Sequence, residues 1–160
     1  MILSIIFIFL LALVIALYIV PIKAAINYNT DNIESFHVII TWLSSIVKID
    51  AIKTERNVTL KTYLFDKKIF SRELAIKSDK INNLSNIKKL KPYNIKLNTS
   101  YGFQDPSVTG VFCGALNLLT EYFQVEQLYN NANFSSDYDY IHINALADFN
   151  ALSSLINLLK

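Results

Sequence analysis

The chain predicts an α+β fold: an N-terminal transmembrane helix followed by a mainly antiparallel β-sheet with one packed helix and a short C-terminal helix. Three observations carry that prediction. Residues 1–20, MILSIIFIFLLALVIALYIV, contain no charged side chain. Apolar and polar residues then alternate with period two through most of the chain, the pattern of half-buried strands. One segment, opening at Asp105-Pro106, instead repeats its apolar residues at spacings of three and four.

As a helix the opening run would be roughly 30 Å long, the thickness of a bilayer's hydrocarbon core. A helix also satisfies its own backbone polar groups, which lipid cannot do. A cleaved signal peptide is the competing reading. Against it, no Lys or Arg precedes the run, and the run outlasts an ordinary signal core. The best cleavage site, Ile22-Lys23-Ala24, also has a bulky residue where a small one belongs. The expectation is an uncleaved anchor over residues 1–22, with Tyr18 near headgroup level and Pro21 ending the helix. Lys23, Lys48, Lys53 and Arg56 follow the run, so positive-inside bias expects a single-pass cell-membrane protein with a cytoplasmic C-terminal domain. Residues 24–160 suffice for one domain. The single cysteine, Cys113, excludes an internal disulfide.

Ala24–Asn29 reads as a short extended segment, followed by a polar turn. Phe36, Val38, Ile40 and Trp42 alternate with His37, Ile39 and Thr41 to make a strand, which Ser44-Ser45 breaks. Residues 46–54 and 57–65 alternate again, and Asp66-Lys67-Lys68 reads as a turn into a strand over 69–74. Strands at this spacing favour a meandering antiparallel sheet. Residues 77–91, KSDKINNLSNIKKLK, read as a solvated Lys/Asn-rich linker. Strand character returns over 93–101, with Tyr93, Ile95, Leu97, Thr99 and Tyr101 expected on one face.

Asp105 is then a good N-cap and Pro106 suits the first helical position. Val108, Val111, Phe112, Ala115, Leu119, Tyr122 and Phe123 form the stripe expected to pack. Gly110 and Gly114 each cost about 1 kcal/mol against Ala inside a helix, which calls for close approach of another backbone, either the sheet or a second helix. Segments 125–130 and 138–149 read as strands, with Tyr138, Tyr140, His142 and Asn144 opposite Asp139, Ile141, Ile143 and Ala145. Residues 150–160 read as a short amphipathic helix bearing Leu152, Leu155, Ile156 and Leu159.

The order of elements resembles a family of uncharacterised single-pass membrane proteins of spore-forming Firmicutes, catalogued as domain of unknown function 2953. The apolar N-terminus, Ile40-Thr41-Trp42-Leu43 and above all YGFQDPSVTGVFCGALNLL carry the likeness. Within that last stretch Gly102, Asp105, Pro106, Thr109, Gly110 and Gly114 match the family's Gly-x-x-Asp-Pro-x-x-Thr-Gly pattern and its following Gly. The resemblance implies a role near the bacterial membrane, linked to sporulation, and implies no known activity.

Charge is unevenly spread. Residues 48–91 hold twelve of the fifteen Lys and Arg against five acids, whereas residues 97–160 hold six acids and one Lys. On an anionic inner leaflet the basic half would meet lipid headgroups, with Lys48, Lys53, Arg56, Lys61, Lys67 and Lys68 as candidate contacts. The plainer reading is that these side chains solvate strand edges. His37 and His142 lack metal-ligand spacing, and Asp139 should lie on the opposite strand face from His142. Cys113 reads as a small core residue. No phosphate loop, dinucleotide glycines, nucleophile elbow or zinc spacing is present. Tyrosines and basic residues occupy mostly different parts of the chain, which argues against nucleic-acid stacking. The expected function is non-enzymatic, without cofactor: a membrane-anchored module that meets a protein partner. A lipid-binding or lipid-transfer module is the alternative.

Overall fold

A computed structural model describes residues 2–31, 36–54, 57–75 and 92–150, without the side chains at 13, 14, 17, 18 and 75. Helix α1 covers Ile2–Ile19. Five strands follow: β1 (Ile22–Asn29), β2 (Phe36–Trp42), β3 (Val47–Lys53), β4 (Asn57–Leu64) and β5 (Lys67–Ala75). Then come β6 (Tyr93–Gly102), helix α2 (Pro106–Tyr122), β7 (Gln127–Asn133) and β8 (Tyr140–Phe149). The expected linker at 77–91, the C-terminal helix at 151–160 and Arg56 lie outside the described residues.

The α+β class is correct. All eight strands join one sheet in the order β5-β4-β3-β2-β1-β8-β6-β7. Strands β1–β5 form the expected antiparallel meander. The chain then leaves the meander and returns so that β8 pairs with β1 from Ile22↔Phe149 to Asn29↔His142. Strands β6 and β7 are parallel, because α2 crosses over between them.

Cross-strand partners share a face, so the register divides the sheet into two surfaces. One carries Ile26, Val38, Ile40, Leu60, Leu97 and Ile143 among many apolar residues; the other carries Lys23, Thr41, Asp50, Lys61, Asn98 and His142. Helix α2 lies on the apolar face over β6 and β7. A helix about 10 Å wide cannot cover eight strands at about 4.8 Å spacing, so among the described residues α2 covers the apolar face over β6 and β7 alone. There Tyr101 and Thr99 are fully buried and Leu116 nearly so.

Several local expectations need correction. The turn after β4 is Phe65-Asp66, both residues at positive φ (49° and 60°), and β5 starts at Lys67. That is the left-handed pair of a two-residue hairpin, which matches the twist of the flanking strands. Tyr93 does not share a face with Leu97, Thr99 and Tyr101. A bulge between Tyr93 and Lys96, with Asn94 at φ 51°, inserts a residue and reverses the alternation. Strand β7 begins at Gln127, two residues later than expected, after Gln124 leaves α2 at φ 51°.

The largest correction concerns α2. Its buried residues are Thr109 and Leu116, with half-buried Phe112 and Cys113, whereas Val111 and Leu118 are 74% and 70% exposed. Of the stripe expected to pack, only Phe112 turns toward the sheet core, its ring 4.6 Å from that of Tyr101. Small residues at 109 and 113 let the helix settle on the β6–β7 pair, which leaves the bulkier stripe pointing away. The helix glycines are not sites of close approach. A Cβ at Gly110 would meet only the Phe134 ring at 4.0 Å, and one at Gly114 would meet nothing within 4 Å. Gly102 is the constrained glycine, since a Cβ there would stand 2.7 Å from Ser136 Cβ and 3.0 Å from the Asn133 carbonyl oxygen.

Candidate functional site

Helix α1 passes into β1 through two residues, Val20 and Pro21. The indole Nε1 of Trp42, the last residue of β2, donates to the Val20 carbonyl at 3.2 Å and fastens the junction to the sheet. The same end of the sheet carries the β2–β3 loop and the β4–β5 turn. Leu43, Ser44 and Ser45 all take positive φ (51°, 54° and 76°). For non-glycine residues this costs about 1–2 kcal/mol each, a strain concentrated at this one end.

The register lays a basic row across the polar face beside the junction: Lys23 opposite Thr41, Thr41 opposite Lys48, Lys48 opposite Tyr63 and Tyr63 opposite Lys68. Lysines recur at every second strand, about 10 Å apart. Lys48 Nζ stands 5.6 Å from the Tyr63 ring centroid, close enough for a cation–π contact. Phe65 is exposed at the turn beyond them.

Of the six basic residues singled out as lipid contacts, the structure thus gathers three at this end: Lys48, Lys67 and Lys68. Lys61 lies mid-sheet opposite Asp50. Lys53 lies at the far end of β3, about 20 Å from the junction at strand rise. Lys23, which sequence reasoning used only for orientation, completes the row. Its signal was its place directly after the apolar run.

The matched motif residues build the opposite end. The Asp105 carboxylate accepts from the Ser107 backbone N–H at 2.8 Å and from the Ser107 hydroxyl, capping α2. Those two bonds, the hydroxyl's first, hold its carboxyl below the ordinary aspartate range. Thr109, fully buried, accepts the Phe103 N–H at 3.2 Å. Pro106 opens the helix. Beneath α2, Asn130 Nδ2 donates to Cys113 Sγ at 3.6 Å and Asn130 Oδ1 accepts from Thr99 at 3.0 Å. Among the described residues the Tyr101 hydroxyl beside them makes no hydrogen bond of acceptable geometry, and burial, followed by the neighbouring Cys113 thiol, pushes its phenol up to about 12.

Both histidines are paired. His37 Nε2 bonds to Asp50, and His142 Nε2 bonds to Asp31 at 2.7 Å. Neither aspartate is near in sequence; strand register brings each across. Asp139 is engaged elsewhere, accepting the Gln104 N–H at 2.8 Å. Among the described residues no three His, Cys, Asp or Glu side chains converge as metal ligands.

No family model, curated protein or solved structure matches the chain.

Among the described residues no helix is long and apolar enough to cross a membrane. Helix α1 has eighteen residues, all uncharged, but the side chains at 13, 14, 17 and 18 fall outside that set. The expected N-terminal helix is present; its crossing of a membrane is a proposal.

Proposed function

We propose that the chain is a non-enzymatic, membrane-anchored interaction module that stands on the bilayer by the basic end of its sheet and offers the outer stripe of α2 to a protein partner. The carrying observation is what the fold leaves uncovered. The described large apolar residues of α1 are exposed, from 48% at Ile15 to 83% at Leu3. Eighteen residues reach about 27 Å, and an uncharged helix of that length whose described large side chains are exposed has lipid as its natural solvent. The basic row at its exit supports an anionic, cytoplasmic leaflet as the neighbouring surface. The resemblance to domain of unknown function 2953 adds sporulation as the setting of this proposal.

On α2, the exposed run Val108, Val111, Leu118 and Leu119 is the contiguous kind of apolar surface that marks association sites. The test has two parts. Alkaline carbonate extraction should leave the full chain in the membrane pellet. A photocrosslinker at Leu118 should then capture one partner, lost when Val111 is changed to Glu. Release by carbonate defeats the anchor, and capture unaffected by Val111→Glu defeats the partner surface.

The apolar sheet face favours a second reading, a lipid-binding or lipid-transfer module. Phe36, Ile49, Leu64 and Leu74 are each more than a third exposed and Phe70 more than half. Exchange of a fluorescent phospholipid between donor and acceptor vesicles distinguishes the two: exchange accelerated by the full chain favours transfer, and none favours the interaction module.

A further inference from the structure

Two clefts open on the polar side of the α1–β1 junction and share Lys23 and Thr41. The one nearer α1, about 220 Å³, is lined by Pro21, Lys23, Thr41, Trp42, Ser44 and Ser45 together with Val20. Its only charged lining residue is a lysine, three of its residues carry hydroxyls, and none is acidic. The second, about 290 Å³, extends from Lys23 to Lys96, Asn94 and Asp148. It lies where the bulge at Asn94 interrupts the regular β6–β8 register. Its one carboxylate, Asp148, accepts from Asn94 Nδ2 at 2.9 Å and faces Lys23 from the β8 side, across β1 from Thr41, and it does not line the first cleft.

We infer that the cleft at Lys23, Thr41, Ser44 and Ser45 holds the phosphodiester of a membrane lipid's headgroup. The inference rests on the anchor reading, because that reading fixes the depth of the cleft. If α1 fills the hydrocarbon core, Val20 and Pro21 emerge at the headgroup layer, where Trp42 is also the residue type that belongs. A phosphodiester carries one negative charge and acceptor oxygens. Lys23 supplies the countercharge and the three hydroxyls supply donors. Size agrees. At about 220 Å³ the cleft is below the roughly 300–1,000 Å³ of pockets that enclose whole small molecules, so it admits a headgroup and leaves acyl chains in the bilayer. Strain agrees as well. Leu43, Ser44 and Ser45 hold three consecutive left-handed conformations, the arrangement that curls this loop against the cleft, and such strain gathers where ligands are clamped.

Trp42 is the only tryptophan and lines the cleft, so its emission reports occupancy. The full chain in non-ionic detergent micelles is titrated with short-chain phosphatidylglycerol, with the matching short-chain diacylglycerol and with inorganic phosphate. Phosphatidylglycerol should change Trp42 emission saturably, diacylglycerol should not, and inorganic phosphate should act at least about tenfold more weakly, lacking the chains that hold it at the interface. Lys23→Gln should weaken the phosphatidylglycerol response by about tenfold or more with unchanged circular dichroism, while Lys61→Gln leaves it unaltered. An equal response to diacylglycerol, or none lost in Lys23→Gln, overturns the site. Equal affinity for inorganic phosphate overturns the lipid assignment in favour of a free anion. Carbonate extraction of the membranes before solubilisation separates the two failures: a pelleted chain with silent Trp42 sinks the headgroup site alone, whereas a released chain sinks the anchor.

Discussion

Changing Tyr101 to Phe should stabilise the protein, although Tyr101 is the most completely buried aromatic residue described. The ring is fully enclosed and packs edge-on to Phe112. Phenylalanine keeps all of that contact. What it removes is a hydroxyl that makes no hydrogen bond of acceptable geometry among the described residues, although Cys113 and Asn130 lie beside it. A buried donor left unsatisfied costs about 1–3 kcal/mol, so the variant should gain about 1–2 kcal/mol at pH 7. For a chain of this size that is a rise of roughly 2–8 °C in Tm. The gain should also grow with pH. The Tyr101 phenol stays protonated in the fold up to about 12 but ionises near 10 when unfolded, so wild-type stability falls as pH rises through that window. The slope is about 1.4 kcal/mol per pH unit, and the phenylalanine variant lacks it. Urea denaturation of both full chains in the same micelles, followed by circular dichroism at pH 7 and pH 11, measures the difference. A variant less stable than wild type at pH 7, or a gap that does not widen at pH 11, would refute the orphaned hydroxyl and mean that Cys113 or Asn130 serves it.

Gly114→Ala should add about 1 kcal/mol in the same denaturation assay, since the helix gains propensity and the new methyl meets nothing. Gly102→Ala should cost about 1–3 kcal/mol, because its methyl would overlap Ser136 and crowd the Asn133 carbonyl. Thr109→Val should cost about 1–2 kcal/mol, leaving the Phe103 N–H without its acceptor; Thr109→Ser should recover most of it. Asp105 titrates below the ordinary carboxylate range, so its capping contribution is complete at neutral pH and lost as pH falls through that lowered value. Asp105→Asn should therefore flatten the acid limb of a Tm-against-pH profile, and an unchanged limb would count against the cap. Leu118→Glu should leave stability within about 0.5 kcal/mol by urea denaturation, because its side chain faces outward.

The sequence by itself determined the local pieces. Period-two alternation located β2, β3 and β4 within a residue or two, and Asp105-Pro106 fixed the start of α2, because these signals act between residues a few positions apart. Where geometry accumulates, local reading failed. One inserted residue at Asn94 turned Tyr93 to the other face, and a helix with apolar side chains on two sides could not announce which one would meet the sheet. Thr109 and Cys113 decided that by allowing close contact, a fact visible only against β6 and β7.

Tertiary structure alone decided everything that depends on register between distant strands. The pairing of β1 with β8 joins residues more than a hundred positions apart and brings Asp31 to His142. The meander's register places Lys23, Lys48 and Lys68 in one row beside the helix exit and sends Lys53 to the other end. Charge composition could show that the chain has a basic half. Only hydrogen-bonded alignment of five strands could sort those charges into a row beside the α1 exit and a remainder far from it, since one residue of slip would move each side chain to the opposite face.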